Sequence, residues 1–107
     1  PELLQKLRSE IKLARLKAQS EGQDTSELEQ RLAQNSQDYA AMLDLAKIRV
    51  AQGRTEEGLA LYLTVMKADR SFGDDAGRQG LIASFDLLGA SDPLVKKYRS
   101  KMFSLLY

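Results

Sequence analysis

The sequence predicts an all-α protein with about six helices packed in antiparallel pairs as a helical array. Apolar residues recur every three or four positions through most of the 107 residues, which is the spacing of one helix face. Short segments rich in Gly, Asp, Ser and Thr separate these stretches, at 21–25, 52–55, 71–75 and 89–92. No stretch of alternating apolar and polar residues is long enough to indicate a strand.

Composition excludes several classes of function. The chain has no Cys and no His, so we expect no disulfide, no thiolate chemistry, no zinc-type metal site and no cofactor. Its 16 basic and 15 acidic residues give a net charge of +1, which argues against nucleic acid as a partner. Neither a membrane-spanning run nor a signal-peptide pattern is present, so we expect a soluble, cytoplasmic protein without membrane contact. Because a helical pattern follows Pro1 directly, we interpret the chain as the C-terminal part of a longer protein.

Residues 1–35 are predicted to form a degenerate helix pair. The first helix, of about five turns, has an apolar stripe that we expect to face the rest of the domain: Leu3, Leu4, Leu7, Ile11, Ala14 and Ala18. Charged residues between these positions are expected to face water. The segment 21–25 interrupts the pattern, and Ser26 with Glu29 three residues later has the spacing of a capping box for a short second helix.

Residues 36–72 have the clearest pattern of two helices joined by a turn. Apolar and small residues lie on one face of each: Met42, Leu45, Ala46 and Val50 in the first, and Gly58, Leu59, Tyr62, Val65 and Met66 in the second. The small side chains of Ala46 and Gly58 are expected where the two helices touch. Gly53 is expected to end the first helix with a positive φ, and Thr55 to cap the second.

Residues 39–72 resemble one tetratricopeptide repeat, a helix pair of about 34 residues. The positions at the spacing of that repeat are Met42, Leu45, Ala46, Gly53, Gly58, Tyr62 and Val65. Two positions depart from it, since Arg49 stands where the repeat usually carries an aromatic residue and Arg70 where it usually carries proline. The resemblance implies a protein-binding scaffold.

Residues 73–107 are predicted to form a C-terminal helix pair. Asp74 and Asp75 precede its first helix, where carboxylates favour the positive end of the helix dipole. The apolar stripe of this helix consists of Leu81, Ile82, Phe85 and Leu88. Gly77 and Gly80 lie within it at a cost in helix propensity of about 1 kcal/mol each. Their retention indicates a close approach to a neighbouring helix.

The last predicted helix, 93–107, carries four basic residues and no acidic residue. Asp92 is expected to cap it, with Pro93 at its first position. A stripe of apolar residues is expected to cover the preceding helix: Leu94, Val95, Tyr98, Met102, Leu105 and Leu106. Phe103 and Tyr107 form a second apolar edge, which either packs on the fifth helix, is simply exposed, or binds a groove on another protein. The basic residues complement the helix dipole and need no partner to explain them.

Several short motifs lie in this region: Asp74-Asp75-Ala76-Gly77-Arg78, Leu87-Leu88-Gly89, Asp92-Pro93-Leu94-Val95, Tyr98-Arg99 and Ser104-Leu105-Leu106-Tyr107. Together they resemble the C-terminal region of the thioredoxin-like co-chaperones, or chaperedoxins, over residues 27–107. The resemblance implies a tetratricopeptide region that follows a thioredoxin-like domain, in holdases that keep unfolding proteins soluble and pass them to the chaperonin. The thioredoxin-like domain is absent from these 107 residues.

In that family the C-terminal helix binds the chaperonin, so the resemblance nominates 94–107 as a docking surface. The partner-binding residues predicted within it are Leu94, Tyr98, Arg99, Met102, Phe103, Leu105, Leu106 and Tyr107. The partners it implies are a chaperonin and unfolded client proteins.

Two alternatives of other classes remain open. The first is a generic tetratricopeptide adaptor or self-associating scaffold, a homo-oligomer, without a chaperone role. The second is a weak nucleic-acid binder, in which the basic residues of 93–107 contact phosphates beside Tyr98 and Phe103. Enzymatic activity is not expected, because adjacent Asp74 and Asp75 point in different directions on a helix and Ser84 has no His to activate it.

Overall fold

The computed structural model describes residues 2–20 and 25–106. At residues 13, 14 and 16–20 it describes the backbone but not the side chains. These residues form six α-helices and no strand, which confirms the predicted all-α helical array. In chain order the helices are α1 Glu2–Ser20, α2 Ser26–Gln34, α3 Tyr39–Ala51, α4 Thr55–Ala68, α5 Phe72–Leu88 and α6 Pro93–Leu106. None of the six is both long and apolar enough to cross a membrane. Of the predicted break at 21–25, positions 21–24 lie outside the described residues.

Helices α3 and α4 form the most extensive helix pair, because their backbones approach closely at a glycine. A Cβ atom on Gly58 would lie 2.7 Å from the carbonyl oxygen of Ala46 and 2.5 Å from Val50 Cγ2. Cores are packed too densely to accommodate such an atom without displacing a neighbour. The predicted contact between Ala46 and Gly58 is confirmed.

Local backbone signals set several helix ends. Asp38 caps α3, since its carboxylate accepts a hydrogen bond from the backbone nitrogen of Ala41 at 3.1 Å. Gly53 has a φ of 85° after the end of α3, as predicted. The cap predicted at Thr55 is wrong, because the first helical hydrogen bond of α4 runs from Gly58 N to the carbonyl oxygen of Arg54. Thr55 is therefore already inside the helix.

The capping box predicted for α2 is displaced in the same way. The first helical hydrogen bond runs from Glu29 N to the carbonyl oxygen of Thr25, at 2.9 Å. Thr25 therefore holds the position before the helix, and Ser26 is its first residue rather than its cap.

Glycine also allows α5 to pack closely on α4. A Cβ atom on Gly77 would lie 2.9 Å from both the Tyr62 carbonyl oxygen and the Met66 backbone nitrogen. A Cβ atom on Gly80 would overlap the Tyr62 ring. The close approach predicted from these two glycines is confirmed, and it offsets their low helix propensity.

One apolar core is shared by α3, α4, α5 and α6. Its buried members are Ala46, Val50, Leu59, Tyr62, Met66, Leu81, Phe85, Val95, Tyr98 and Met102. The start of α6 is fixed by Asp92, whose carboxylate accepts a hydrogen bond from Leu94 N at 2.8 Å. Pro93 is the first residue of that helix, as predicted.

Arg49 is a buried charge that joins three helices. Its side chain is only 9% exposed, and it forms an ion pair with Glu29 of α2. Gln52 accepts a second hydrogen bond at 3.1 Å, and the Glu57 carboxylate of α4 lies 3.8 Å away. At a position where the repeat usually carries an aromatic residue, a paired guanidinium links α2, α3 and α4.

Helix α1 packs differently from the sequence-based expectation. It contacts α5 and α3, and within the described residues it makes no contact with α2, which packs on α3 instead. The expectation that its apolar stripe faces the domain is also wrong for the members whose side chains are described, because all are exposed: Leu3, Leu4, Leu7 and Ile11. The side chains of Ala14 and Ala18 are not among those that the structure describes. Periodicity identifies a stripe but does not identify the neighbour that covers it.

Candidate protein-docking surface

The structure divides α6 lengthwise into a buried side and an exposed side. The apolar stripe predicted for this helix faces the core: Val95, Tyr98 and Met102 are buried, and Leu94, Leu105 and Leu106 are half-buried. Their spacing of three and four residues places them above one another on one helix face. This packing leaves the remaining face of α6 in contact with water.

The second apolar edge predicted on α6 remains at the surface. Phe103 is 46% exposed, and Arg99 and Lys96 precede it by four and seven residues, on the same side of the helix. The guanidinium carbon of Arg99 lies 5.7 Å from the centroid of the Phe85 ring, which holds this side chain beside the core. We call Lys96, Arg99, Phe103 and the half-buried Leu106 the α6 edge. It presents an aromatic ring flanked by cations.

Only part of the docking set predicted from sequence reaches this edge. Tyr98 and Met102 are each 4% exposed, so they hold α6 in place instead of meeting a partner directly. Leu94 and Leu105 are half-buried against the core. Tyr107 lies outside the described residues. Among the described residues, Arg99, Phe103 and Leu106 are the predicted ones that the α6 edge brings together.

A cleft of about 520 Å³ adjoins the end of α6. It is lined by Arg70, Ser71, Asp74, Asp75, Arg78 and Leu106. Arg70 Nη1 donates a hydrogen bond to the Leu105 carbonyl oxygen at 2.9 Å, which ties the last turn of α6 to the segment before α5. In the sequence, Arg70 stands out only as a departure from the repeat, and no local signal indicates that it satisfies a helix-end carbonyl 35 residues later.

Two of the lining residues, Asp74 and Asp75, belong to a left-handed turn. Gly73, Asp74 and Asp75 have φ values of 60°, 57° and 67°, so the regular part of α5 begins after them. The Asp75 carboxylate accepts a hydrogen bond from Arg78 Nη1 at 2.9 Å, which supports an unusual conformation for a non-glycine residue. In the described part of the chain, no group of three or more acidic, His or Cys side chains is placed to hold a metal ion.

A carboxylate of α4 forms an ion pair with one of the basic residues of α6. Glu56 accepts hydrogen bonds from Lys97 Nζ at 2.7 Å and from the Tyr98 hydroxyl at 3.2 Å. The Lys97 hydrogen bond, followed by that of Tyr98, lowers the pKa of Glu56 below its ordinary value. The same hydrogen bond raises the pKa of Lys97. Lys101 Nζ lies 5.1 Å from the centroid of the Tyr98 ring. Because Arg99 also lies against the Phe85 ring, three of the four cations of α6 are engaged within the chain.

Comparisons with known proteins place this arrangement in context. A family model described as "Tetratricopeptide repeat" matches residues 18–107. An uncharacterized protein of Haemophilus influenzae is 30% identical over 96 residues, which cover 88% of this chain and 44% of that relative. The chain therefore spans less than half the length of this curated relative. No solved structure matches the chain.

Proposed function

Because this chain belongs to the tetratricopeptide repeat family, we propose that it is a protein–protein interaction module and that α6 is the helix that docks on a partner. The family fold presents helical surfaces to protein partners. The observation that carries the proposal for α6 is Phe103, an aromatic ring 46% exposed between cations on a helix whose opposite side is buried. Full burial of an exposed apolar side chain contributes about 1.5–3 kcal/mol, and burial of the exposed 46% of Phe103 contributes the corresponding part of it.

Helix α6 is also held in one position before any partner arrives. Asp92 caps its start, Glu56 binds Lys97 in its middle, and Arg70 binds its last turn. A docking helix that is already ordered loses less conformational entropy on binding than a flexible one. This preorganisation supports a role in recognition.

We propose further that the partner is a chaperonin, and that the chain is the interaction region of a cytoplasmic thioredoxin-like co-chaperone whose other partners are unfolded clients. The motif resemblance over residues 27–107 supports this assignment, since its closing segment, 104–107, contains Leu106 of the α6 edge. On this proposal the chain binds proteins and performs no catalysis.

The generic adaptor alternative uses the same α6 edge with a partner of another kind, and the family membership fits it equally well. The nucleic-acid alternative is less favoured, because the Lys97 ammonium is bound to Glu56 and Lys101 lies against the Tyr98 ring. Those contacts leave Lys96 and Arg99 as the cations of the α6 edge that would meet phosphates.

Co-migration with a purified chaperonin in native electrophoresis or size-exclusion chromatography tests the proposal. Phe103→Asp should weaken binding at least about tenfold, because it removes an apolar anchor and places a charge in the groove. Thr64→Asp adds the same charge at an exposed position of α4, outside the proposed docking helix, and is the matched control. Melting curves should show that both variants remain folded, since both residues are exposed.

The outcomes separate the two levels of the proposal. A wild-type chain that does not bind the chaperonin removes the co-chaperone assignment and leaves the generic adaptor. If chaperonin binding survives Phe103→Asp and depends on another surface, the assignment of the α6 edge is wrong.

A further inference from the structure

Arg99 of α6 stands apart from the other arginines of residues 25–106, because its guanidinium has no hydrogen-bond or ion-pair acceptor among the described residues. Each of the others has one: Arg31, Arg49, Arg54, Arg70 and Arg78. Arg99 is half-buried, and its guanidinium carbon lies 5.7 Å from the centroid of the Phe85 ring. An aromatic ring therefore positions N–H donors for which the described part of the chain supplies no acceptor.

The acidic residues around α6 do not pair with Arg99. Helix α6 contains no acidic residue, and Asp86, which follows Phe85 on α5, forms no ion pair with Arg99 in the described part of the chain. Glu56 of α4 binds Lys97 and the Tyr98 hydroxyl instead. A carboxylate is the acceptor that matches a guanidinium best, because its two oxygens accept two parallel N–H bonds.

We infer that Arg99 receives an aspartate or glutamate carboxylate from a separate partner protein, beside the apolar pocket that takes Phe103. The inference rests on the proposed function, in which α6 is the docking helix. Phe103 follows Arg99 by four residues on the same side of α6, so one partner surface meets both. Burial of the ring supplies attraction. The carboxylate sets which partner is accepted, because a partner without one leaves the half-buried guanidinium unpaired.

Other sources of negative charge match the α6 edge less well. Symmetric pairing of two copies through α6 brings Lys96 and Arg99 against their own counterparts, and like charges across an interface are unfavourable. A helix that lies in a membrane surface inserts its apolar face, but this face of α6 is buried in the core. Phosphates of nucleic acid favour several free cations, whereas Lys97 and Lys101 already contact a carboxylate and a ring. Within the described residues, α1 makes no contact with α6, so a segment that precedes α1 does not lead to this edge.

A nuclear magnetic resonance titration of the wild-type 107-residue chain tests the inference, because the side-chain Nε–H signal of Arg99 reports on its own acceptor. The probes are two helical peptides with the same leucine stripe, one flanked by glutamates and the other by glutamines. The glutamate peptide should shift the Arg99 signal and bind at this site about tenfold more tightly than the glutamine peptide. The Nε–H signal of Arg54, which is paired with Glu57, is the internal control and should not respond. No shift at Arg99, or equal affinity for the two peptides, would overturn the inference.

Variants of the chain separate the charge from the ring, with binding followed at the backbone amides of α6. Arg99→Gln should remove the preference for the glutamate peptide, whereas Lys101→Gln, which removes another cation that lies against a ring, should keep it. Phe103→Ser should weaken both peptides and keep the preference. Arg99→Lys retains the charge but loses the planar fork, so the preference should shrink without vanishing. A preference that survives Arg99→Gln would contradict the inference, and the wild-type titration stays decisive even if this variant proves less stable.

Co-migration with a purified chaperonin extends the test to the proposed partner. Arg99→Gln should weaken this binding about tenfold, and Lys101→Gln should leave it unchanged. Chaperonin binding that is unaffected by Arg99→Gln would refute the role of Arg99. A wild-type chain that does not bind the chaperonin removes only the co-chaperone assignment, because the peptide titration decides the carboxylate independently.

Two further measurements identify a different acceptor. A single-stranded oligonucleotide that shifts the Arg99 signal at lower concentration than the glutamate peptide would replace the carboxylate with phosphate. Sedimentation equilibrium showing a wild-type dimer that dissociates on Arg99→Glu would replace the separate partner with a second copy of the chain. A monomer whose Arg99 signal responds to the glutamate peptide supports the inference.

Discussion

Lys97 Nζ lies 2.7 Å from Glu56 Oε2, which joins the exposed side of α6 to the first turn of α4. The Tyr98 hydroxyl donates to the same carboxylate oxygen at 3.2 Å. One carboxylate thereby positions two neighbouring residues of the proposed docking helix. The cationic charge of α6 is in part a packing feature. None of its basic residues lies in the last turn of the helix, so the expected complement to the helix dipole is not found there.

This contact predicts a pH dependence of stability. The pKa of Glu56 in the folded protein is below its ordinary value of 4.5, so the ionised carboxylate stabilises the fold. The contribution is complete above the unfolded pKa and is lost as the pH falls through the folded pKa. We expect the melting temperature of the wild type to fall more steeply below about pH 4.5 than that of Glu56→Gln. Glu27→Gln, an exposed change on α2, is the control, and identical pH profiles for wild type and Glu56→Gln would contradict the assignment.

The contact between α3 and α4 predicts that Gly58→Ala is destabilising. The added Cβ would lie 2.7 Å from the Ala46 carbonyl oxygen, and a backbone atom in a helix cannot move away freely. Overpacking of this kind costs about 1–3 kcal/mol in the free energy of unfolding, and Gly58→Leu should cost more. Urea unfolding followed by circular dichroism measures the effect. Ser100→Ala, at an exposed helical position, should change the free energy by less than about 0.5 kcal/mol. An unchanged midpoint for Gly58→Ala would show that the helix contact is misplaced.

Because Arg49 is buried, removal of its partner Glu29 should lower the stability of the fold more than removal of another acidic residue of α2. Glu29→Ala removes the carboxylate paired with a guanidinium whose side chain is only 9% exposed. Because Glu29 itself is half-exposed and Gln52 remains as a partner, we expect a loss of about 1–2 kcal/mol in the free energy of unfolding. Glu27→Ala on the same helix is the control, with little expected change. Equal losses in both variants would argue against the buried pair.

The hydrogen bond from Arg70 to Leu105 predicts local rather than global stabilisation. Arg70→Ala leaves the Leu105 carbonyl oxygen without this donor, and helix ends fray when their last carbonyl groups lack partners. Hydrogen exchange at the backbone amides of the last turn of α6 should become faster, while the urea midpoint changes little. Arg54→Ala, which removes an exposed pair with Glu57, serves as the control. Exchange rates at α6 that do not respond to Arg70→Ala would contradict this role.

Features determined by neighbouring residues were predictable from sequence. Gly53 takes a positive φ, Asp92 caps α6 before Pro93, and the small residues Ala46 and Gly58 meet between α3 and α4. Each depends on backbone preference or on the helical period, which act over a few residues. The same reasoning misplaced the caps of α2 and α4 by one residue, because a cap side chain and the first helical residue have similar sequence preferences.

The division of α6 into a buried stripe and an exposed edge was also predictable, since residues three and four apart share a face. The sequence did not predict which members of the docking set remain accessible to a partner. Tyr98 and Met102 proved to be core residues, whereas Phe103 stayed exposed, because α4 and α5 cover one side of the helix only. The spacing of apolar residues alone cannot locate those neighbours.

The sequence by itself determined the all-α class, the helices and the small-residue contacts of α3, α4 and α5. The tertiary structure alone decided that Arg49 is buried against Glu29, that Arg70 reaches Leu105, and that α1 turns its apolar stripe outward. These features join residues 20, 35 and 77 positions apart, the last being Ser9 and Asp86. Local preferences of the chain act over a single turn, whereas contacts at such separations depend on how the whole array packs.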